Sequence, residues 1–231
     1  MRAFFQVMLA MALMPLAATP SARAQDDPTV FLVSYIEVAP ASTSNAAGLL
    51  RQLRDASRKD DGLIRFEVLQ RTTPSNQFAV LEIWKDQAAL DAHAATAHSK
   101  QFRDKVQPLL IAPIDDRPCA TTTVDPMQAA RAGSAAGAVY VVTHVDVGPP
   151  NREKAVAALK ALAEASRKDA GNLRFDVVHQ KARVNHFTVI EVWKDQKSDD
   201  AHEHAAHTKD FRALHIPLTG ALYDQRWHKA L

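Results

Sequence analysis

The sequence predicts an α+β protein in which two copies of a β-α-β-β-α-β unit pack sheet to sheet within one chain. The first observation is an internal repeat: residues 30–108 align without a gap on residues 139–217, with 33 identities in 79 positions. The second is the same order of strand-like and helix-like segments in each copy. The third is physical: a sheet with both helices on one side needs its other face covered, and the second copy can cover it.

The first 24 residues predict a secretory signal peptide that precedes the fold. Arg2 is followed by an apolar run that ends at Leu16, and Ala22-Arg23-Ala24 is a small-x-small cleavage site. A retained N-terminal anchor is the alternative, but the apolar run is shorter than the about 20 residues that a membrane span requires. We therefore expect cleavage before Gln25, export to the periplasm or beyond the cell, and no membrane span in the mature chain.

The composition argues against a nucleic-acid partner and rules out an internal disulfide. The chain has 28 basic and 26 acidic residues, and loss of the leader removes Arg2 and Arg23, which leaves 26 of each. A balanced charge without a Lys/Arg block gives no sign of a nucleic-acid partner. The single cysteine, Cys119, excludes an internal disulfide, so the exported chain depends on packing.

The elements of each copy follow in a fixed order. A β-branched and aromatic strand comes first, then a helix with apolar residues at helical spacing, which Gly62 or Gly171 is expected to cap in a left-handed conformation. Two strands and a second helix follow, the helix beginning after Asp86 or Asp195 as N-cap. The ranges predicted for the first copy's strands are 31–38, 64–70, 77–84 and 117–124, and the second copy's last strand is predicted at 221–229.

This order defines a ferredoxin-like unit. It predicts one domain at residues 30–124 and a second at 139–231, joined by an Ala-, Gly- and Ser-rich linker at 125–138. Two such sheets packed face to face give an α/β barrel formed within a single chain, in effect an internal dimer. Further oligomerisation is left open.

One motif resembles a known family. It reads Phe78-x-Val-x-Glu-x-Trp-Lys-Asp and continues to His93, His98 and Phe102, and it recurs from Phe187 onward. It resembles the antibiotic biosynthesis monooxygenase family, which forms dimeric α/β barrels. The resemblance implies a small monooxygenase without a metal or other cofactor, acting on a quinol or similar hydroxyaromatic compound with molecular oxygen. It also leaves open a non-catalytic binding protein for an aromatic or heme-like ligand, or a heme-degrading monooxygenase.

The resemblance also nominates site residues. His93 and His202 are expected to be catalytic, and Trp84 and Trp193 to border one pocket in each copy, where a flat substrate would stack. The remaining candidates for the pocket walls are Phe66, Phe175, Tyr35 and His144. The alternatives are a structural tryptophan at the corner between strand and helix and a helix histidine bonded to backbone or solvent. Ser34 and Thr143 stand where the heme-degrading branch has an asparagine, which counts against heme degradation.

Further expectations concern metal binding by the histidines and the partners of the two strand glutamates. On one continuous helix, His98 would point about 140° away from His93, so the pair is not expected to share a metal ion. His204 and His207 have i,i+3 spacing, but the first copy has Ala95 in place of His204, so metal binding there would be incidental. Glu82 and Glu191 are expected to pair with Arg65 and Arg174 on the neighbouring strand.

Overall fold

A computed structural model describes residues 28–123, 137–221 and 223–231. The expected leader and most of the expected linker lie outside these residues. Within the described ranges, no helix has the length and apolar character needed to cross a membrane.

Both halves of the chain have the predicted plan. The strands and helices of the first half are β1 (Val30–Glu37), α1 (Thr43–Ser57), β2 (Leu63–Arg71), β3 (Gln77–Trp84), α2 (Gln87–Ala95), α3 (Ala97–Val106) and β4 (Asp115–Thr121). Those of the second half are β5 (Val139–Asp146), α4 (Arg152–Ser166), β6 (Asn172–Gln180), β7 (His186–Trp193), α5 (Gln196–Glu203), α6 (Ala206–His215) and β8 (Asp224–Ala230). The α+β fold with two ferredoxin-like units is therefore confirmed.

Local signals set several of the boundaries. Gly62 and Gly171 have φ angles of 82° and 87°, the left-handed conformation expected after a helix. Asp86 and Asp195 cap the following helices, since their carboxylates accept hydrogen bonds from the amides of Ala89 and Ser198. The expected second helix is wrong in one respect: it is broken into α2 and α3, and in the second half into α5 and α6.

The eight strands form one closed antiparallel barrel in the order β1-β3-β2-β8-β5-β7-β6-β4. Each half contributes a four-stranded sheet, and the halves are joined where β2 pairs with β8 and β4 with β6. Closure leaves neither sheet with a free edge. The internal dimer predicted from the repeat is therefore a single barrel, because the strands at the sheet edges also pair across the two halves.

Apolar side chains lie in three layers. One cluster fills the barrel between the two sheets, and two others lie between each sheet and its own helices. The inner layer contains Phe31, Leu81, Cys119, Tyr140 and Ile190, which come from both halves. The hidden face of each sheet is thus covered by the other copy, as the repeat predicted.

Inside the barrel, a charged side chain of the second half pairs with one of the first half. Arg174 donates to Glu67 of the first half over 2.7 Å and also pairs with Asp176. Arg65 pairs with the same Glu67 over 2.6 Å. The Arg174–Glu67 pair joins the two halves, and the other two pairs hold its partners in place.

Candidate functional site

The site is built where each sheet meets its helices, and it occurs twice. We define the first cluster as Asp60, Glu82, Trp84, His93 and His98. We define the second cluster as the residues 109 positions later, Asp169, Glu191, Trp193, His202 and His207. The two clusters have nearly the same geometry.

A break in the helix brings the two histidines of the first cluster together. Thr96 is extended, with φ −63° and ψ 156°; its hydroxyl donates to the carbonyl of His93 and accepts from the amide of Ser99. The chain therefore turns between α2 and α3. The expectation that His93 and His98 diverge is wrong, because it assumed one continuous helix.

Both histidines contact one carboxylate. Asp60 Oδ2 lies 2.7 Å from Nδ1 of His93 and 2.9 Å from Nε2 of His98. In the second half, Asp169 Oδ2 lies 2.8 Å from Nδ1 of His202 and 3.0 Å from Nε2 of His207. All three donor atoms of each set lie within 4.8 Å of one another, so each set can hold a metal ion.

A buried glutamate lies on the other side of each central histidine. Nε2 of His93 is 3.9 Å from Glu82, and Nε2 of His202 is 3.5 Å from Glu191. Each glutamate accepts a hydrogen bond from the indole two residues later, over 2.8 Å from Trp84 and 3.0 Å from Trp193.

The acids and histidines of the clusters are electrostatically perturbed. Burial raises the pKa of Glu82 to about 7, although the hydrogen bond from Trp84 opposes this change. Burial raises the pKa of Glu191 to about 8, again opposed by its tryptophan. Burial lowers the pKa of His93 and His202, while the partner aspartate raises it. Carboxyl groups that titrate near neutrality are suited to proton transfer.

The expected pairing of Glu82 with Arg65 is wrong, and so is that of Glu191 with Arg174. A β-bulge shifts the register between Leu63 and Arg65, so that Phe66 lies opposite Glu82 and Arg65 opposite Ile83. Side chains directly opposite each other share a face of the sheet. Arg65 consequently lies on the barrel side, where it pairs with Glu67, and a second bulge turns Arg174 inward in the same way.

The aromatic candidates divide into two groups. Trp84 stacks on His93 with ring centres 4.7 Å apart, and Trp193 stacks on His202 at 4.5 Å. Phe66 and Phe175 approach the same imidazoles edge-on, each at 5.8 Å. Both indoles are fully buried, so the histidine covers the face on which a substrate was expected to stack.

Tyr35 and His144 lie outside both clusters. Tyr35 is opposite Ala79, an inner residue of the barrel, and its hydroxyl lies 2.5 Å from Nε2 of His144. The guanidinium of Arg117 lies 4.8 Å from the centre of the tyrosine ring. The two residues meet each other at one end of the barrel, where Tyr35 also lines a cavity of about 200 Å³.

A small cavity adjoins the first cluster. It has a volume of about 20 Å³, and Ser34, Glu82, His93, Arg103 and Asp116 contribute to its lining. Arg103 and Asp116 form an ion pair of 3.0 Å, and Ser34 donates to the same aspartate over 2.5 Å. A groove of about 370 Å³ lies beyond and shares Arg103 and Ile114 with the cavity.

The corresponding region of the second half is more heavily occupied. Arg212, the counterpart of Arg103, donates to Glu203 over 2.5 Å and to Gln225 over 3.4 Å. Gln225 also donates to Glu203 over 2.7 Å. Tyr223 replaces Ile114 and lies under the guanidinium of Arg212 at 5.8 Å.

Asp60 and Asp169 are site residues that the sequence analysis missed. Their signal was present, because the pentapeptide from Ala56 to Asp60 recurs unchanged at 165–169. Only the fold shows that this aspartate, at the end of the first helix, reaches both histidines of the second helical segment.

Comparison with known proteins agrees with this architecture. YcnE from Bacillus subtilis (strain 168) is 34% identical over 86 residues, which cover 37% of this chain and 90% of YcnE. The protein sll1783 from Synechocystis sp. is 31% identical over 90 residues, 39% of this chain and 60% of that protein.

Solved structures show the same two-unit fold. FN1347 from Fusobacterium nucleatum superposes with a TM-score of 0.76 at 16% identity, covering 88% of this chain and 92% of that one. A protein from Lactobacillus acidophilus NCFM gives a TM-score of 0.71 at 15% identity, covering 88% and 94%. The sequence pattern of the antibiotic biosynthesis monooxygenase family matches residues 29–105 and again residues 138–214. The chain belongs to the antibiotic biosynthesis monooxygenase family, in which it carries two copies of the family domain.

Proposed function

We propose that this protein is a monooxygenase that acts on a quinol or a similar hydroxyaromatic compound, and that the first half carries the working site. The observation that carries the proposal is the position of Glu82 and His93 together at the wall of a cavity next to an open groove. Membership of the family supports the reaction class, and YcnE carries the name of a monooxygenase.

The groups on this wall suit a phenolic substrate. A hydroxyaromatic compound becomes electron-rich when it loses its phenolic proton, and it can then react with molecular oxygen. Glu82 and His93 line the cavity together with Asp116, whose carboxylate is already engaged by Arg103 and Ser34. A water-poor site that holds the substrate in one orientation supplies much of the remaining rate enhancement.

The overall reaction needs no external reductant when the substrate is a quinol. One atom of O₂ enters the ring and the other leaves as water, while the quinol is oxidised to a hydroxyquinone. The substrate supplies both electrons that the reduction of the second oxygen atom requires, and its hydroxyl protons leave with the water. The protein therefore has to orient the substrate and transfer its protons.

Entry of the substrate requires movement at the rim of the cavity. A volume of about 20 Å³ holds roughly one water molecule, whereas the outer groove of about 370 Å³ falls in the size range of small-molecule sites. Arg103 and Ile114 line both spaces. We propose that displacement of the Arg103 side chain, which is 49% exposed, joins the groove to the cavity.

The geometry weighs against the heme alternative. A histidine that ligates heme iron needs one ring nitrogen facing the open heme pocket. His93 has Nδ1 on Asp60 at 2.7 Å and Nε2 facing Glu82 at 3.9 Å, and His202 is held in the same way.

Oxygen uptake by the purified mature protein with a panel of quinols tests the proposal, with hemin titrated in parallel and followed at its Soret band. We expect oxygen uptake with at least one quinol and no shifted Soret band. Quinol binding without oxygen uptake would show a non-catalytic binding protein. A Soret shift that is lost in His93→Ala and His202→Ala would favour heme binding through these histidines.

A further inference from the structure

Each cluster contains three metal-ligating groups, of which two reach solvent and the third lies behind them. Asp60 and His98 have side chains that are 15% and 27% exposed, while His93 behind them is 5% exposed. The same arrangement occurs at Asp169, His202 and His207. We propose that each half binds one divalent transition-metal ion through these two imidazoles and one carboxylate, a property that goes beyond the proposed oxygenase reaction.

The distances between donor atoms fit this assignment. Imidazole nitrogens and carboxylate oxygens bind such ions at about 2.0–2.2 Å. Two ligand atoms are then about 3.0 Å apart at right angles, and about 3.4 Å apart in the tetrahedral sites that zinc prefers. The nitrogen–oxygen distances are 2.7 and 2.9 Å in the first half and 2.8 and 3.0 Å in the second. An octahedral ion can replace the two shared protons with little movement of the aspartate, whereas tetrahedral zinc requires each pair to separate by roughly half an ångström.

The buried glutamates complete the usual surroundings of a metal-bound histidine. Such a histidine commonly donates its second ring N–H to a carboxylate, which fixes its tautomer and orientation. With the metal on Nδ1, Nε2 of His93 faces Glu82, and Nε2 of His202 faces Glu191. Each glutamate is in turn held by its tryptophan. This role accounts for a buried acid that sequence reasoning paired with an arginine.

The donor set favours particular ions. Two imidazoles and one carboxylate suit zinc, iron(II) and cobalt(II), whereas calcium and magnesium prefer oxygen ligands alone. The partial exposure of Asp60 and His98 leaves solvent access for water to complete the coordination.

The tandem repeat lets the experiment count sites. Protein freed of metal with a chelator is titrated with zinc by calorimetry and with cobalt(II) by visible absorption. We expect about two ions per chain for the parent, one for His98→Ala, one for His207→Ala and none for the double variant. His204→Ala is the matched control, because His204 lies near His207 but bonds the backbone carbonyl of Asp200, and it should still bind two.

Other stoichiometries would overturn the proposal. Binding that survives in the double variant, or a parent that binds neither ion, contradicts it, provided that thermal unfolding shows the variants to be folded. A loss of one ion in His204→Ala would assign the second site to the His204–His207 pair instead.

A second variant tests the supporting carboxylate. Glu82→Gln removes its charge without removing a ligand, and it should weaken cobalt binding at the first half by about 10–100-fold while the second half is unchanged. If the two halves of Glu82→Gln bind cobalt with equal affinity, Glu82 does not support the metal ligand His93. These readouts do not involve oxygen uptake, so they can fail or succeed independently of the proposed function.

Discussion

The two halves share one polar cluster but differ in the groups that cover it. The residues of the first cluster have the same contacts as their counterparts in the second. The aspartate–histidine distances agree within about 0.1 Å between the halves. Over the first cluster lies the ion pair Arg103–Asp116, and Ser34 donates a hydrogen bond to the same aspartate.

Over the second cluster lies a connected set made by Arg212, Glu203, Gln225 and Tyr223. These side chains are half-buried: Arg212 and Glu203 are 31% and 19% exposed, whereas Arg103 and Asp116 are 49% and 33% exposed. A half-buried set that satisfies its own hydrogen bonds resists displacement more than a more exposed ion pair does. Duplication thus preserved the cluster, whereas the side chains that cover it differ between the halves.

The largest expected effect is a loss of catalytic activity when the first cluster, but not the second, is changed. Glu82→Gln should lower kcat/KM for the best quinol by about 100-fold or more, the range of a lost general base, while Glu191→Gln changes it by less than about threefold. The measurement is steady-state oxygen uptake with each variant. Equal losses would show that both halves work; a loss only in Glu191→Gln would reverse the assignment.

The second effect concerns the barrel interior, where the halves carry different titratable groups. His144 and His228 replace Tyr35 and Cys119, and burial lowers the pKa of both histidines to about 4. The unfolded chain therefore binds more protons than the folded one between about pH 6.5 and pH 4. Stability from these residues is complete above that window and is lost as the pH falls through it, by about 3 kcal/mol for each.

His228→Cys isolates this contribution, because it installs the residue found at the matching position of the first half. The fall in the free energy of unfolding between pH 6.5 and pH 4, measured by urea denaturation, should be smaller than in the parent by about 3 kcal/mol. The exposed His204→Ala serves as control and should follow the parent. An unchanged pH dependence in His228→Cys would mean that His228 is charged in the folded state.

The smallest expected effect tests the helix break. Thr96 caps α3 with its hydroxyl, whereas Ala205 takes the same extended conformation before α6 without a side-chain cap. Thr96→Ala should destabilise the protein by about 1 kcal/mol, and Ala205→Thr should stabilise it by about 0.5–1 kcal/mol. Denaturant midpoints measure both; opposite signs would show that the caps do not govern these helix starts.

Sequence periodicity predicted most of the fold because each element carries its own signal. The strands β1, β2 and β3, the glycine that follows α1, and the aspartate caps all depend on local patterns that recur in both copies. Barrel closure was less accessible, since the pairing of β2 with β8 and β4 with β6 depends on how the edges of two twisted sheets meet.

The site was predicted less completely, for identifiable reasons. The bulge before Arg65 changes which side chains share a face with Glu82, and strict alternation cannot show it. The break between α2 and α3 arises at Thr96 in one half and Ala205 in the other, so it has no shared sequence signal. His93 and Trp84 were identified through family resemblance, whereas Asp60 required the three-dimensional path of the chain.

Incorporation of oxygen from ¹⁸O₂ tests the central claim most directly. The best quinol is converted under labelled oxygen in ordinary water, and the quenched product is analysed by mass spectrometry. We expect a hydroxyquinone that carries one labelled oxygen atom, formed at the parent rate by Glu191→Gln and at a strongly reduced rate by Glu82→Gln. An unlabelled quinone, or a labelled product formed equally fast by both variants, would contradict the central claim.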